Sequence, residues 1–170
     1  MSDSVSDAFS GAYAELLRMA RQRLAREQSA VSAHTLTHEL YLQLQQRSDL
    51  QFESRAAFLA YASRAMRTML VDLARERLAA KRHADLVPLT LSAELVEAGG
   101  GTPEQILRLN QALQRLGEVD ERLMRVAEMR AVLGLEVRDI AEVLQVSEPT
   151  VKRDWQRARA FLHEALGDLP

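Results

Sequence analysis

The stretch from Leu135 to Leu162 constrains the fold of this chain more than any other feature. It contains two apolar stripes at helical spacing, separated by a break at Gln145 and Val146. The first stripe consists of Ile140, Ala141 and Leu144, and the second of Val151, Trp155, Ala158 and Leu162. This pattern predicts two short helices that pack against each other across a tight turn.

Capping signals place the start of the second helix. Ser147 is a good N-cap, and Pro149 falls in the first helical turn, where its missing N–H has no intrahelical partner to lose. The helix is therefore predicted to begin near Glu148. Gln145 occupies the turn position where a glycine often helps the chain to reverse, so some backbone strain is expected there.

The outer face of the second helix carries side chains that donate to base edges and to phosphates. These are Thr150, Lys152, Arg153, Gln156, Arg157 and Arg159. Two helices with such a face form the helix-turn-helix pattern. A merely solvated basic face is the alternative interpretation. Trp155 continues the apolar stripe, so we predict that it lies in the core and does not stack on bases.

Composition favours an all-helical protein, because 47% of the 170 residues are apolar, only 5% are aromatic, and glycine and proline are few. The absence of cysteine excludes disulfides and cysteine-based metal sites. No apolar run has the length of a membrane span, and the polar start MSDSVSDAFSG does not resemble a signal peptide. A cytoplasmic protein without membrane contact is expected.

The net charge of −2 hides a strong segregation of charge along the chain. Residues 55–82 contain seven basic residues and two acids, a balance of +5. Residues 83–105 contain four acids and no lysine or arginine. Electrostatics therefore permits nucleic-acid binding on both sides of this acidic connector and disfavours it within the connector.

Helical periodicity organises the N-terminal half. Amphipathic helices are predicted over 7–27 and 33–46, followed by a turn at 47–53. Ser54 is predicted to cap a long helix from Arg55 to about Arg82. Its buried face is predicted to contain Phe58, Leu59, Ala62, Met66, Met69, Leu70 and Leu73, with Arg64, Arg67, Arg75 and Arg77 outside.

The C-terminal half begins after a change in composition. Residues 83–102 contain Pro88 and three consecutive glycines, which is typical of a linker. Thr102 and Pro103 form a helix-start signature. Helices are predicted from there to about residue 116 and again over 120–133, before the helix-turn-helix.

Three segments in series resemble the extracytoplasmic-function (ECF) sigma factors, the two-domain initiation subunits of bacterial RNA polymerase. They are LTHELYLQL, FLAYASRAMRTMLVDLARERLAAKR and IAEVLQVSEPTVKRDWQRAR. The resemblance covers nearly the whole chain. It implies an all-α protein with a polymerase-binding and −10-recognising domain at 1–83, a flexible linker at 84–102, and a −35-recognising helix-turn-helix domain at 103–170.

The resemblance also implies partners and site residues. The expected partners are the clamp helices and flap of core RNA polymerase and promoter DNA, with no enzymatic activity and no cofactor. The polymerase-binding positions are Leu36, Glu39, Leu40, Gln43 and Leu44. The −10 positions are Phe52, Ser54, Arg55, Arg64, Arg67, Arg75 and Arg77; Phe52 to Arg55 match the loop that captures a flipped base. The −35 positions are Arg138, Thr150, Lys152, Arg153, Gln156 and Arg157.

One departure from the family concerns the start of the polymerase-binding helix, where most members carry a cluster of acids. Here residues 32–35 read SAHT, and the first carboxylate is Glu39. We hypothesise that a Ser/Thr kinase supplies the missing charge, first at Thr35 and otherwise at Thr37 or Ser32, since a phosphate adds about −1.5 to −2 charges. The alternative is that Glu39 and apolar contacts suffice.

Other functions remain open at this point. An ordinary helix-turn-helix regulator would bind DNA as a dimer without polymerase. An adaptor would bind polymerase without reading DNA. His34 and His38 have the i, i+4 spacing of a zinc pair, but no third ligand follows at a plausible spacing, so no metal site is expected.

Overall fold

The computed structural model describes residues 3–4, 38–44, 46–47, 49–82 and 102–167, and these are predominantly helical, which confirms the all-α prediction. The predicted helix over 7–27 and the predicted linker, apart from Thr102, lie outside the described residues. The helices are α1 (described over 38–44), α2 (Arg55–Arg82), α3 (Pro103–Val119), α4 (Glu121–Glu128), α5 (Val137–Leu144) and α6 (Glu148–Leu166). None of them is long and apolar enough to cross a membrane.

Side-chain caps define the starts of α2 and α3. The backbone N–H of Ala57 donates to the Ser54 hydroxyl over 3.1 Å. Thr102 and Gln105 form a capping box, in which each side chain accepts from the other residue's backbone N–H at 3.2 and 2.8 Å. Both predicted helix starts are confirmed. The end of α3 was predicted too early, because the helix continues from residue 116 to Val119.

The predicted helix over 120–133 is regular only in its first part. The Asp120 carboxylate caps α4, which ends at Glu128 and continues as a π-helical turn over Met129–Leu133. Gly134 then adopts the left-handed conformation at φ 67°, and the N–H of Leu135 donates back to the Met129 carbonyl over 3.1 Å. The predicted role of Gly134 is confirmed, whereas the π turn has no signature in the periodicity.

A short strand pair replaces part of the turn predicted over 47–53. Gln51–Phe52 pairs antiparallel with Asp3–Ser4, with Phe52 opposite Asp3 and Gln51 opposite Ser4. Two residues are too few to show the alternation by which a strand is recognised in a sequence. The pair lies directly before α2 and adds one buried aromatic side chain to the core.

One hydrophobic cluster contains residues from both halves of the chain. Helix α2 contacts α3, α4, the π turn and α5, and its fully buried Phe58 and Leu59 belong to the same cluster as Leu135 and Ile140. A second cluster joins α3, α4 and α6 through residues such as Leu113 and Leu162. The two halves therefore pack together in this structure; their division into domains at 84–102 stays a prediction.

Candidate nucleic-acid interface

Helices α5 and α6 are joined by a three-residue turn, as the apolar stripes predict. The turn closes through the N–H groups of Gln145 and Val146, which donate to the carbonyls of Glu142 at 3.3 Å and Ala141 at 3.1 Å. Gln145 has φ 55° and ψ 43°, the one non-glycine residue with positive φ in the described part of the chain. The expected strain at Gln145 is therefore present.

The start of α6 follows its capping signals. The Ser147 hydroxyl accepts from the backbone N–H of Thr150 at 3.4 Å, and Pro149 lies in the first turn. The hydroxyls of Ser147 and Thr150 are 2.9 Å apart, so the Thr150 side chain is engaged locally and is half-buried. The predicted start at Glu148 is confirmed.

Apolar packing fixes the orientation of α6. Val151 and Ala158 are fully buried and lie in different clusters, and Trp155 packs against both. The Arg130 guanidinium lies over the Trp155 ring, 6.0 Å from its centroid, at cation–π distance. Trp155 is therefore a packing residue, which confirms its assignment to the core.

An ion pair between a fully buried carboxylate and a partly exposed arginine also anchors α6, and the sequence did not predict it. Asp154 is fully buried and accepts from Arg122 of α4, with distances of 2.7 Å to Nε and 3.3 Å to Nη2. The hydrogen bond and charge of Asp154 raise the pKa of Arg122. The spacing in the sequence could have indicated that Asp154 is buried, because it lies three residues after Val151 and four before Ala158, within the apolar stripe.

Because Asp154 is turned inward, the outer face of α6 is basic without an intervening acid. Lys152, Arg153, Gln156 and Arg157 are all exposed, and their spacing of one, three and one places them on one side of the helix. Arg138 is exposed at the start of α5. Of the predicted −35 positions, only Thr150 is partly covered.

The arginines of α2 differ in solvent exposure more than the sequence predicts. Arg64 and Arg75 are exposed and Arg77 is half-buried. Arg67 was predicted to lie outside, but its side chain is only 21% exposed and its Nε lies 2.9 Å from Oε1 of Glu128 in α4. The prediction failed there because a partner from a distant segment covers that side of α2.

The predicted base-capturing loop also packs against the core. Phe52 is 6% exposed and makes edge-to-face contacts with the rings of Phe58 at 5.3 Å and Tyr61 at 5.5 Å. Ser54 is exposed and caps α2, while Arg55 Nη1 lies 3.3 Å from Asp139 Oδ1 of α5. In this conformation the Phe52 ring is not accessible for stacking on a base.

The predicted polymerase-binding helix buries two of the leucines that were predicted to contact polymerase. Leu40 is fully buried and Leu44 is 3% exposed in the shared cluster, whereas Glu39 is half-buried and Gln43 is exposed. Leu42, which was not predicted as a site residue, is 39% exposed. The i, i+4 spacing of Leu40 and Leu44 already places Leu42 on another side of the helix. Leu36 and the candidate phosphorylation positions Ser32, Thr35 and Thr37 lie outside the described residues.

The described residues are therefore predominantly helical, with an exposed basic face on α6 and a second arginine-rich helix, α2, packed against the C-terminal half. The family model for ECF sigma factors matches residues 2–168. The chain therefore belongs to the ECF sigma factor family. It is an alternative sigma factor that acts in transcription initiation, and its partners are core RNA polymerase and promoter DNA. A comparison with curated protein sequences found no match.

Proposed function

We propose that this sigma factor directs polymerase to promoters through two DNA contacts, with α6 reading the −35 element and α2 with its preceding loop binding the −10 region. The observation that carries the proposal is the outer face of α6. Four polar and basic side chains are exposed there, while the nearest acid, Asp154, points into the fold and forms an ion pair with Arg122. Guanidinium and amide groups in such an array donate to base edges and to phosphates.

The −35 assignment is tested by comparing Arg153→Ala with Arg115→Ala. Both arginines are exposed, but Arg115 lies on α3, so the control removes the same charge elsewhere. Arg153→Ala is expected to cost about 1–3 kcal/mol of binding at a cognate site if it contacts a base. Equal binding by the two variants to duplex promoter DNA would refute the assignment.

For the α1 region we propose contact with the polymerase clamp helices, regulated by phosphorylation at Thr35, or otherwise at Thr37 or Ser32, by a Ser/Thr kinase. The support is a charge deficit, because Glu39 is the one carboxylate between residues 32 and 44. Contact of the C-terminal half with the polymerase flap completes the proposed assembly.

The experiment measures binding to core RNA polymerase by the wild type, Thr35→Glu and wild-type protein phosphorylated at Thr35, at two salt concentrations. Salt-sensitive binding that requires the added charge supports the switch, since interfacial charge pairs raise association rates and are screened by salt. Equal binding by all three removes the switch and leaves the sigma function intact. If none of them binds, the proposed contact between the α1 region and the clamp helices is contradicted.

A further inference from the structure

Arg130 lies before the helix-turn-helix but contacts two parts of it. It is half-buried in the π turn that follows α4. Its Nη1 donates to the Leu135 carbonyl over 2.7 Å, and its guanidinium lies over the Trp155 ring of α6, 6.0 Å from the centroid. One side chain therefore connects α6 with the segment that leads into α5.

The bond to Leu135 fixes the segment before α5. Leu135 is fully buried, and its N–H donates to the Met129 carbonyl over 3.1 Å, so both of its backbone groups are bonded to residues of the π turn. A buried carbonyl without a partner costs stability, and Arg130 supplies a partner with a charged donor. The next residue, Glu136, provides no side-chain cap for α5. The position of this segment therefore depends on Arg130.

The contact with Trp155 acts on the rotation of α6 about its own axis. Trp155 directly precedes Gln156 and follows Arg153 by two residues, so all three side chains turn together when the helix turns. At the radius of a helix with its side chains, a rotation of about 10° moves a side-chain tip by about 1 Å. That displacement exceeds the range of about 0.5 Å over which hydrogen bonds form. A contact that fixes Trp155 therefore fixes which base edges Arg153 and Gln156 reach.

A second contact holds α6 on another side. Asp154 is bonded to Arg122 of α4 and is adjacent to Trp155, so the two residues are separated by about 100° around the helix. Their arginine partners both come from the continuous segment formed by α4 and the π turn. Two contacts at different sides of α6 oppose its rotation in either direction.

We propose that Arg130 is a positioning residue for promoter reading, which fixes the rotation of α6 and thereby its base preference without touching DNA. The proposal rests on the proposed function of α6 as the helix that reads the −35 element.

The test measures base preference and non-specific affinity separately on the full chain. The probe is a pool of duplex oligonucleotides with a randomised central segment, from which the wild type selects an enriched sequence. Affinity for this duplex and for a shuffled duplex of the same composition is then measured by fluorescence anisotropy. Their ratio is the specificity ratio, and it does not change when a substitution weakens both duplexes equally.

The main comparison is between Arg130→Met and Arg115→Met. Both remove one positive charge, but Arg115 is exposed on α3 and distant in sequence from α6. We expect the specificity ratio of Arg130→Met to fall at least about 5-fold below that of Arg115→Met, since one well-placed base contact gives discrimination of this size. Affinity for the shuffled duplex should be the same in both variants.

Two further measurements show whether the contact itself is responsible. Arg130→Lys keeps the charge but lacks the planar fork that covers a ring and bonds a carbonyl at once, so it should restore part of the ratio. Trp155 is the single tryptophan of the chain, and its fluorescence should change in Arg130→Met but not in Arg115→Met. Thermal melting identifies the temperature at which each variant is folded; if Arg130→Met does not fold, the comparison uses Arg130→Lys with Arg115→Lys.

Salt dependence distinguishes positioning from a direct DNA contact. The slope of log affinity against log salt falls by about 0.9 for each phosphate contact removed. Equal slopes for Arg130→Met and Arg115→Met support positioning, whereas a slope smaller by about one in Arg130→Met shows that Arg130 binds a phosphate and overturns the inference. Unchanged specificity ratios in both Arg130 variants also overturn it. If the wild type enriches no sequence, α6 does not read bases, which contradicts the proposed function and removes the positioning role with it.

Discussion

Replacing Asp154 with asparagine tests how Arg122 of α4 anchors α6. The substitution keeps the shape of the side chain but exchanges one carboxylate oxygen for an amide NH2 that faces the Arg122 guanidinium. Because Asp154 is fully buried, this new donor has no water to bond. An unsatisfied buried donor costs about 1–3 kcal/mol. A loss near 2 kcal/mol lowers the melting temperature of a chain of this size by about 4–8 °C.

The assay combines thermal unfolding with duplex DNA binding, and Glu164→Gln provides the control on the exposed side of α6. A simple charge count predicts that either change strengthens DNA binding, because each removes an acid from the helix. The structure adds that only Asp154→Asn should lower the melting temperature, because this substitution alone leaves a buried group unsatisfied and Arg122 without its ion-pair partner. An Asp154→Asn protein that melts at the wild-type temperature, as Glu164→Gln is expected to do, would refute this reasoning.

Three further predictions concern single positions. Gln145→Gly should stabilise the protein by about 0.5–1 kcal/mol in chemical denaturation by relieving the left-handed conformation; a loss would show that the Gln145 side chain contributes more than the strain costs. Ser147→Ala should cost about 1 kcal/mol through loss of the α6 N-cap, whereas Ser147→Gly should cost only a few tenths; equal losses would contradict the capping role. Burial raises the pKa of Glu128, because the folded protein favours the protonated, uncharged side chain. The stability contributed by protonated Glu128 is therefore present below the ordinary titration range of a glutamate and is lost as the pH rises through the higher pKa of the folded state. Denaturation should therefore find Glu128→Gln more stable than the wild type at about pH 7.5 and nearly equal at about pH 4; a difference of the same size at both values would exclude this titration.

Local signals in the sequence predicted the elements that local forces determine. The stripes around Ile140 and Val151 predicted α5 and α6, because a helix that buries one face must repeat its apolar residues at helical spacing. The caps at Thr102 and Ser147 fixed helix starts, because an oxygen at that position satisfies a free backbone N–H.

Features that depend on distant partners could not be predicted in this way. Arg55 and Asp139 are separated by 84 positions, and periodicity shows which side of a helix is polar but not which segment covers it. The covering of Arg67 and the inward position of Phe52 follow from the same packing of α2 on the C-terminal half. Asp154 was partly predictable, because the sequence shows its position in the apolar stripe of α6 but does not show that Arg122 is its partner.

The most direct test of the account is transcription by core RNA polymerase on a library of genomic DNA fragments with this protein added, followed by mapping of the transcript starts. We expect new starts that share two sequence elements at a fixed spacing. Arg115→Ala should retain these starts, and Arg153→Ala should lose those that depend on the upstream element. If the protein produces no new starts, also when it is phosphorylated at Thr35, or if Arg153→Ala leaves the starts unchanged, the proposed reading of promoters by α6 is contradicted.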